Sequence, residues 1–177
     1  MSWENTYLVA ALGAMLMSGC SKGRTFSSAT AFTNRGELAE FTENFVRVSL
    51  GLETDPEGKP VLRATFTPTE EGFHLYGKDL PEEGINGLGG PTRLDIVSGS
   101  IQSAGPVFVD RNTRDEDTLG VKLPIYPEGP VTLRQPISIV RPGDKADVEL
   151  SYMSCKSGGV CHPPVHRKRV EIRVPKV

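Results

Sequence analysis

The stretch ADVELSYMSCKSGGVCHPPVHRKRVEIRV, residues 146–174, contains two alternating runs separated by a pair of cysteines. In ADVELSYM (146–153) and RVEIRV (169–174) apolar and polar side chains alternate, the period of a half-buried strand. Between them, Gly158-Gly159 permits positive φ at a tight reversal, so Cys155 and Cys161 can face each other near the top of a hairpin. Two strands joined this way are antiparallel, and that reading sets the fold class for the chain.

The same signals recur upstream. In VRVSLGL (46–52) the residues Val46, Val48, Leu50 and Leu52 alternate with Arg47, Ser49 and Gly51, and Asp55-Pro56-Glu57-Gly58 reads as a turn. Further strand candidates are VLRATF (61–66), FHLYG (73–77), TRLDIV (92–97), PVFVD (106–110) and VTLRQPISIV (131–140). Fourteen prolines and nineteen glycines argue against long helices. Short strands with this punctuation predict an all-β domain, an antiparallel sandwich. GELAEFTENF (36–45) reads as a short helical turn or as the start of the domain. Residues 77–90 and 111–130 read as long connections, where binding surfaces usually lie.

The chain has 177 residues, 37% of them hydrophobic, enough for one core of ordinary size. A net charge of -2 gives no indication of a nucleic-acid or anionic-membrane binder. Residues 7–20, YLVAALGAMLMSGC, form an apolar run too short to span a bilayer and end in small residues before a cysteine. That order is expected of a signal peptide over residues 1–19, the alternative being a buried amphipathic helix with a chance cysteine. LMSGC resembles a bacterial lipobox, which implies lipidation of Cys20 and attachment to a membrane through the lipid. Residues 20–39 then form a Ser/Thr/Gly-rich tether, and 40–177 the domain. With Cys20 so used, Cys155 and Cys161 remain as an even pair in an oxidising, extracytoplasmic compartment.

Three uses of that pair stand open on the residues alone. A structural bond closing a loop of about seven residues stabilises a fold by only about 2 kcal/mol. A zinc site has four residues of the right type in Cys155, Cys161, His162 and His166, but Cys161 and His162 are adjacent. Pro163-Pro164 then holds the backbone extended, so the four side chains diverge and no metal is expected. A redox couple needs a stabilised thiolate, and Lys156, His162, His166, Arg167 and Lys168 bring positive or protonatable charge near both sulfurs in sequence. For most of that basic run, a solvated strand end is the simpler account.

The pattern Tyr152-x-x-Cys155-x5-Cys161-x-Pro163-Pro164 resembles the active-site hairpin of the amino-terminal periplasmic domain of the DsbD thiol:disulfide interchange family. Gly72-Phe73-His74-Leu75-Tyr76 is similar to that family's Gly-aromatic-x-x-Tyr strand, and Pro91-Thr92-Arg93-Leu94 to a Pro-Thr-Arg segment of some relatives. The resemblance covers residues 44–177. It implies an immunoglobulin-like sandwich that passes reducing equivalents between a thioredoxin-like donor and disulfide-containing extracytoplasmic proteins, with no cofactor. It also implies that Cys161 forms the mixed disulfide and Cys155 resolves it, with His74, Tyr76, His162 and Pro163 as neighbours. The family covers its pair with a Phe-bearing cap loop; the matching stretch DEDTLGVKLPIY (115–126) has no Phe, and Leu119 is the expected substitute. The full-length family protein also carries a membrane electron carrier and a thioredoxin-like domain not seen here, so the donor is expected to be a separate molecule.

Overall fold

A computed structural model describes residues 32–176, and no described residue is helical. The chain opens as a meander of long strands, β1 (Thr33–Glu43), β2 (Val46–Thr54) and β3 (Pro60–Pro68), followed by the short β4 (Phe73–Leu75). Next come β5 (Arg93–Gly99), β6 (Ile101–Ser103) and β7 (Phe108–Val109). A tight hairpin, β8 (Arg114–Thr118) and β9 (Val121–Ile125), precedes the long β10 (Val131–Ile139) and β11 (Lys145–Tyr152). The last three strands are β12 (Ser154–Lys156), β13 (Val160–Cys161) and β14 (Val165–Arg173).

These strands make an immunoglobulin-like antiparallel sandwich. One sheet runs β1-β2-β3-β10, with β6 and β7 both pairing on β10; the other runs β14-β11-β5. The alternation in the sequence becomes the two inner faces. Val46, Val48 and Leu50 on one sheet and Val148, Leu150 and Tyr152 on the other are all buried in a single core. Across that core Phe66 meets Tyr152 edge-on at 5.5 Å, and the Tyr152 hydroxyl donates to the Glu43 carbonyl at 3.3 Å. At Gly99 the chain leaves one sheet for the other with φ +104°, and a Cβ there would lie 2.5 Å from Ala146 Cα, so the corner admits only glycine.

A third layer closes one end of the sandwich. It is the sheet β13-β12-β4, and the β8–β9 hairpin joins it where Tyr76 bridges Ile125. Its strands are two to five residues long.

Several expectations need correction. GELAEFTENF forms no helical turn: residues 36–43 belong to β1, which begins at Thr33, inside the segment read as tether, and Asn44-Phe45 turn the chain into β2. The reason is packing, since Ala39 and Phe41 sit opposite Leu50 and Val48 and rest against the core. Residues 111–130 are not one long connection but contain the β8–β9 hairpin, and of PVFVD only Phe108 and Val109 pair. Residues 1–19, expected to form a signal peptide, and Cys20 lie outside the described residues.

Candidate functional site

The cysteine hairpin is turned by Ser157-Gly158-Gly159. Gly158 and Gly159 have φ near +102° and +100°, and the Gly159 N–H donates to the Lys156 carbonyl at 3.1 Å. This places Cys155 directly opposite Cys161, with Cα atoms 4.0 Å apart and the sulfurs bonded. On its other side Cys155 pairs with His74 of β4. The two cysteines differ in surroundings. Cys155 is 2% exposed and packs with Tyr76, Leu80, Leu123 and Ile125, whereas Cys161 is exposed.

The strand leaving Cys161 is clamped. The His162 ring is stacked between Phe45, 4.2 Å away, and Phe73, 4.7 Å away, with its Nε2 3.0 Å from a Glu70 carboxylate oxygen. Asn44 donates its side-chain amide to the Pro163 carbonyl at 2.9 Å. Asn44 and Phe45 form the β1–β2 reversal with φ of 46° and 59°, so a strained turn from one sheet holds the exit of the hairpin. Phe45, Glu70 and Asn44 were not legible as site residues, because each lies just outside an alternating run. Phe73 was visible only within the aromatic strand motif.

His74 is 3% exposed and stands edge-on to Tyr76 at 5.6 Å. Burial pushes the His74 pKa below its ordinary value; Glu116 and Glu128 oppose that shift and Arg114 adds to it. Burial likewise pushes the Tyr76 phenol upward, with Glu116 contributing in the same direction. The Tyr76 carbonyl accepts a bond from the buried Thr92 hydroxyl at 2.8 Å. Arg93 donates to the carbonyls of Lys78 and Leu80 and pairs with Glu82, so the Pro-Thr-Arg segment fastens the connection 77–90 beside the site.

Beside the disulfide is a cleft of about 410 Å³, lined by His74, Tyr76, Cys155 and Cys161 on one wall and by Glu116 and Leu119 on the other. The far wall is the β8–β9 hairpin, tied to the cysteine hairpin by Ser157 donating to Glu116 at 2.7 Å. Leu119 sits at its tip with φ 54° and is 88% exposed. The structure therefore brings His74, Tyr76 and Leu119 around the pair, with His162 and Pro163 beside Cys161. The basic run finds other partners: Arg167 and Arg169 bind Glu149, Lys168 binds Glu43, and His166 lies 3.7 Å from Glu82. Glu149 is held below the usual carboxylate range by its hydrogen bond from Arg167. Among the described residues no three His, Cys, Asp or Glu side chains are grouped to hold a metal ion.

No family model matches the sequence, and no curated protein does. Among solved structures, the fold is similar to the N-terminal periplasmic domain of ScsB from Proteus mirabilis, with a TM-score of 0.48 and 12% identity. That match covers 81% of this chain and 51% of the other, so the chain spans about half of that structure's length. The N-terminal domain of DsbD from Neisseria meningitidis, solved in the reduced form, gives a TM-score of 0.39 and 16% identity over 64% of this chain and 75% of the other.

Proposed function

We propose that the chain is an extracytoplasmic thiol–disulfide exchange protein working through Cys155 and Cys161. The observation that carries this reading is the asymmetry of the pair: one sulfur is buried among apolar side chains, while its bonded partner is at the surface beside a cleft. A bond whose sole role is to staple a hairpin has no need of one exposed cysteine beside a cleft.

In the reducing direction, the Cys161 thiolate attacks a disulfide of the target protein. A Cys161–target bond forms and the target's second sulfur leaves as a thiolate. Cys155 then attacks Cys161, the intramolecular disulfide re-forms, and the target departs with both its sulfurs reduced. Two electrons have passed to the target, and a thioredoxin-like dithiol restores the pair. His74 and Tyr76 shape the ground beneath Cys155; His162 and Pro163 fix the backbone that presents Cys161; Leu119 lines the cleft from the tip of the β8–β9 hairpin. The amino-terminal motif supports a further part of the reading, in which residues 1–19 are removed, Cys20 carries lipid, and the domain faces the periplasmic side of a bacterial membrane.

The test is trapping. Cys155→Ser is expected to accumulate mixed disulfides with partner proteins on non-reducing gels, because the resolving sulfur is gone, and Cys161→Ser few or none. Trapping mainly by Cys161→Ser would reverse the two roles. A bond that resists millimolar dithiol in the folded protein, with no trapping by either variant, would leave a structural disulfide. Labelling with a fatty-acid analogue, lost in Cys20→Ala, checks the anchor separately.

A further inference from the structure

The register of the cysteine hairpin points Cys161's backbone outward. His162 donates its N–H to the Ser154 carbonyl at 2.9 Å, which makes Cys155 and Cys161 a pair that exchange no backbone bonds with each other. Their 4.0 Å Cα separation agrees, since such pairs sit at about 4.5 Å against about 5.5 Å for the bonded kind. The N–H and C=O of Cys155 consequently turn to β4, where they meet His74. Those of Cys161 turn the opposite way, to the side where the sheet has no further strand. Among the described residues none donates to or accepts from them across that edge.

The edge is also restricted to this one position. Two residues earlier, Gly159 has its N–H committed to Lys156. Two residues later, Pro163 has no N–H, and its carbonyl is held by Asn44. Space is not limiting, because a Cβ on Gly158 or Gly159 would meet nothing within 4 Å and Val160 is 61% exposed. Proteins commonly blunt their free strand edges. Here the blunting on both sides removes the flanking donors, and within β13 it is the surface cysteine whose N–H and C=O both face the open edge.

We propose that β13 is a docking edge: a partner protein adds an extended segment there in antiparallel register, with its own reactive cysteine opposite Cys161. The proposal rests on the exchange reading above and supplies its mode of recognition. Residues that exchange both backbone bonds across an antiparallel pair have Cα atoms about 5.5 Å apart, within the range a disulfide spans. Cys155, Cys161 and the partner's cysteine then project from one face of three adjacent strands, with their sulfurs in a row. Displacement at sulfur needs that arrangement, the incoming and leaving sulfurs on opposite sides of the central one. Cys155 thiolate attacks Cys161, the Cys155–Cys161 bond forms, the Cys161–partner bond breaks, and the partner's sulfur leaves as a thiolate that takes a proton from water. Recognition through main-chain groups asks little of the partner's side chains, so a donor and unrelated targets can use one edge.

The test uses the full chain carrying Cys20→Ser and two synthetic peptides, each a six-residue extended sequence with one cysteine, one of them N-methylated at that cysteine. Each is offered as its mixed disulfide with 5-thio-2-nitrobenzoate to the Cys155→Ser variant and to the reduced wild-type pair. The unmodified peptide is expected to slow amide exchange at Cys161 about tenfold in the trapped adduct, and to be reduced about tenfold faster by the wild-type pair than its methylated twin, as two net backbone bonds allow. Equal rates for the two peptides, with the Cys161 amide exchanging as fast as in a cysteamine adduct, would overturn the docking edge and leave the exchange reading standing. No adduct and no reduction with either peptide would remove the exchange reading and the docking edge together. The wild-type rates serve as the measure should Cys155→Ser fold poorly.

Discussion

The core between the two sheets and the apolar cluster around Cys155 are both buried, yet they are assembled differently. The first draws chiefly on strands of seven to eleven residues, whose alternate side chains interleave from both sheets. The second gathers Tyr76, Leu80, Leu123, Ile125 and Cys155 from three-to-five-residue strands and a loop. Long ladders hold the sandwich, whose core takes only Leu75 and Tyr126 from the end-layer segments, whereas the end layer has too few ladder bonds to stand alone and depends on the sandwich beneath it. The exchange proposed for the cysteine pair would draw on that division. Its surroundings can rearrange as the bond opens and closes while the platform keeps its geometry.

The largest effect should come from the platform. Phe66 is fully buried against Tyr152, so Phe66→Ala is expected to cost about 3–5 kcal/mol in denaturant unfolding by loss of burial and creation of a cavity. A loss under about 1 kcal/mol would show that the site can collapse and that the sandwich core is looser than its strand lengths suggest. Removing the disulfide with the double change Cys155→Ala and Cys161→Ala should cost less, about 2 kcal/mol for so short a loop. The comparison breaks if that loss matches the Phe66 variant, since the end layer would then unfold as one unit with the core.

This contrast also explains what could be read from the residues alone. VRVSLGL, VTLRQPISIV and ADVELSYM carry enough repeats of the two-residue period to declare both the strand and its inner face, and each is a long strand of the sandwich. Strands of two or three residues, such as Val160–Cys161, have no period to detect. The β8–β9 hairpin was hidden for another reason: Asp115, Glu116 and Asp117 resemble a solvated loop, and pairing with Val121–Ile125 is visible only in the fold. Among the residues around the pair, the cysteines, His74 and Tyr76 sit in motifs. The stacking of His162 by Phe45 depends on a turn in a different sheet, which no local pattern encodes.

A smaller effect is expected at the hairpin tip. Leu119 has the left-handed backbone conformation, which costs a side chain with a Cβ roughly 1–2 kcal/mol and which asparagine adopts routinely. Leu119→Asn should therefore raise unfolding stability by about 1 kcal/mol. If the leucine is retained because it covers the cleft, the same change should speed reduction of the disulfide by a small thiol, measured under native conditions. A stabilised variant with an unchanged reduction rate would leave the tip without a covering role.

The smallest effect concerns pH and tests whether the end layer contributes to stability through a buried charge-sensitive group. Burial holds His74 below its ordinary value of 6.5, so the unfolded chain binds that proton more readily than the folded one. Stability from this residue is therefore complete above pH 6.5 and is lost as the pH falls from there through the folded value. Glu116 and Glu128 reduce the loss by favouring the protonated ring, and Arg114 adds to it. His74→Tyr replaces the imidazole with a group that does not titrate in this range, and the rest of the chain is the same in both proteins. Unfolding free energies measured at pH 7.5 and pH 5 should fall further for the wild type than for His74→Tyr. A wild type that loses less than the variant on acidification would mean that His74 is held protonated by Glu116. The polar side of the cleft would then outweigh the apolar cluster behind it.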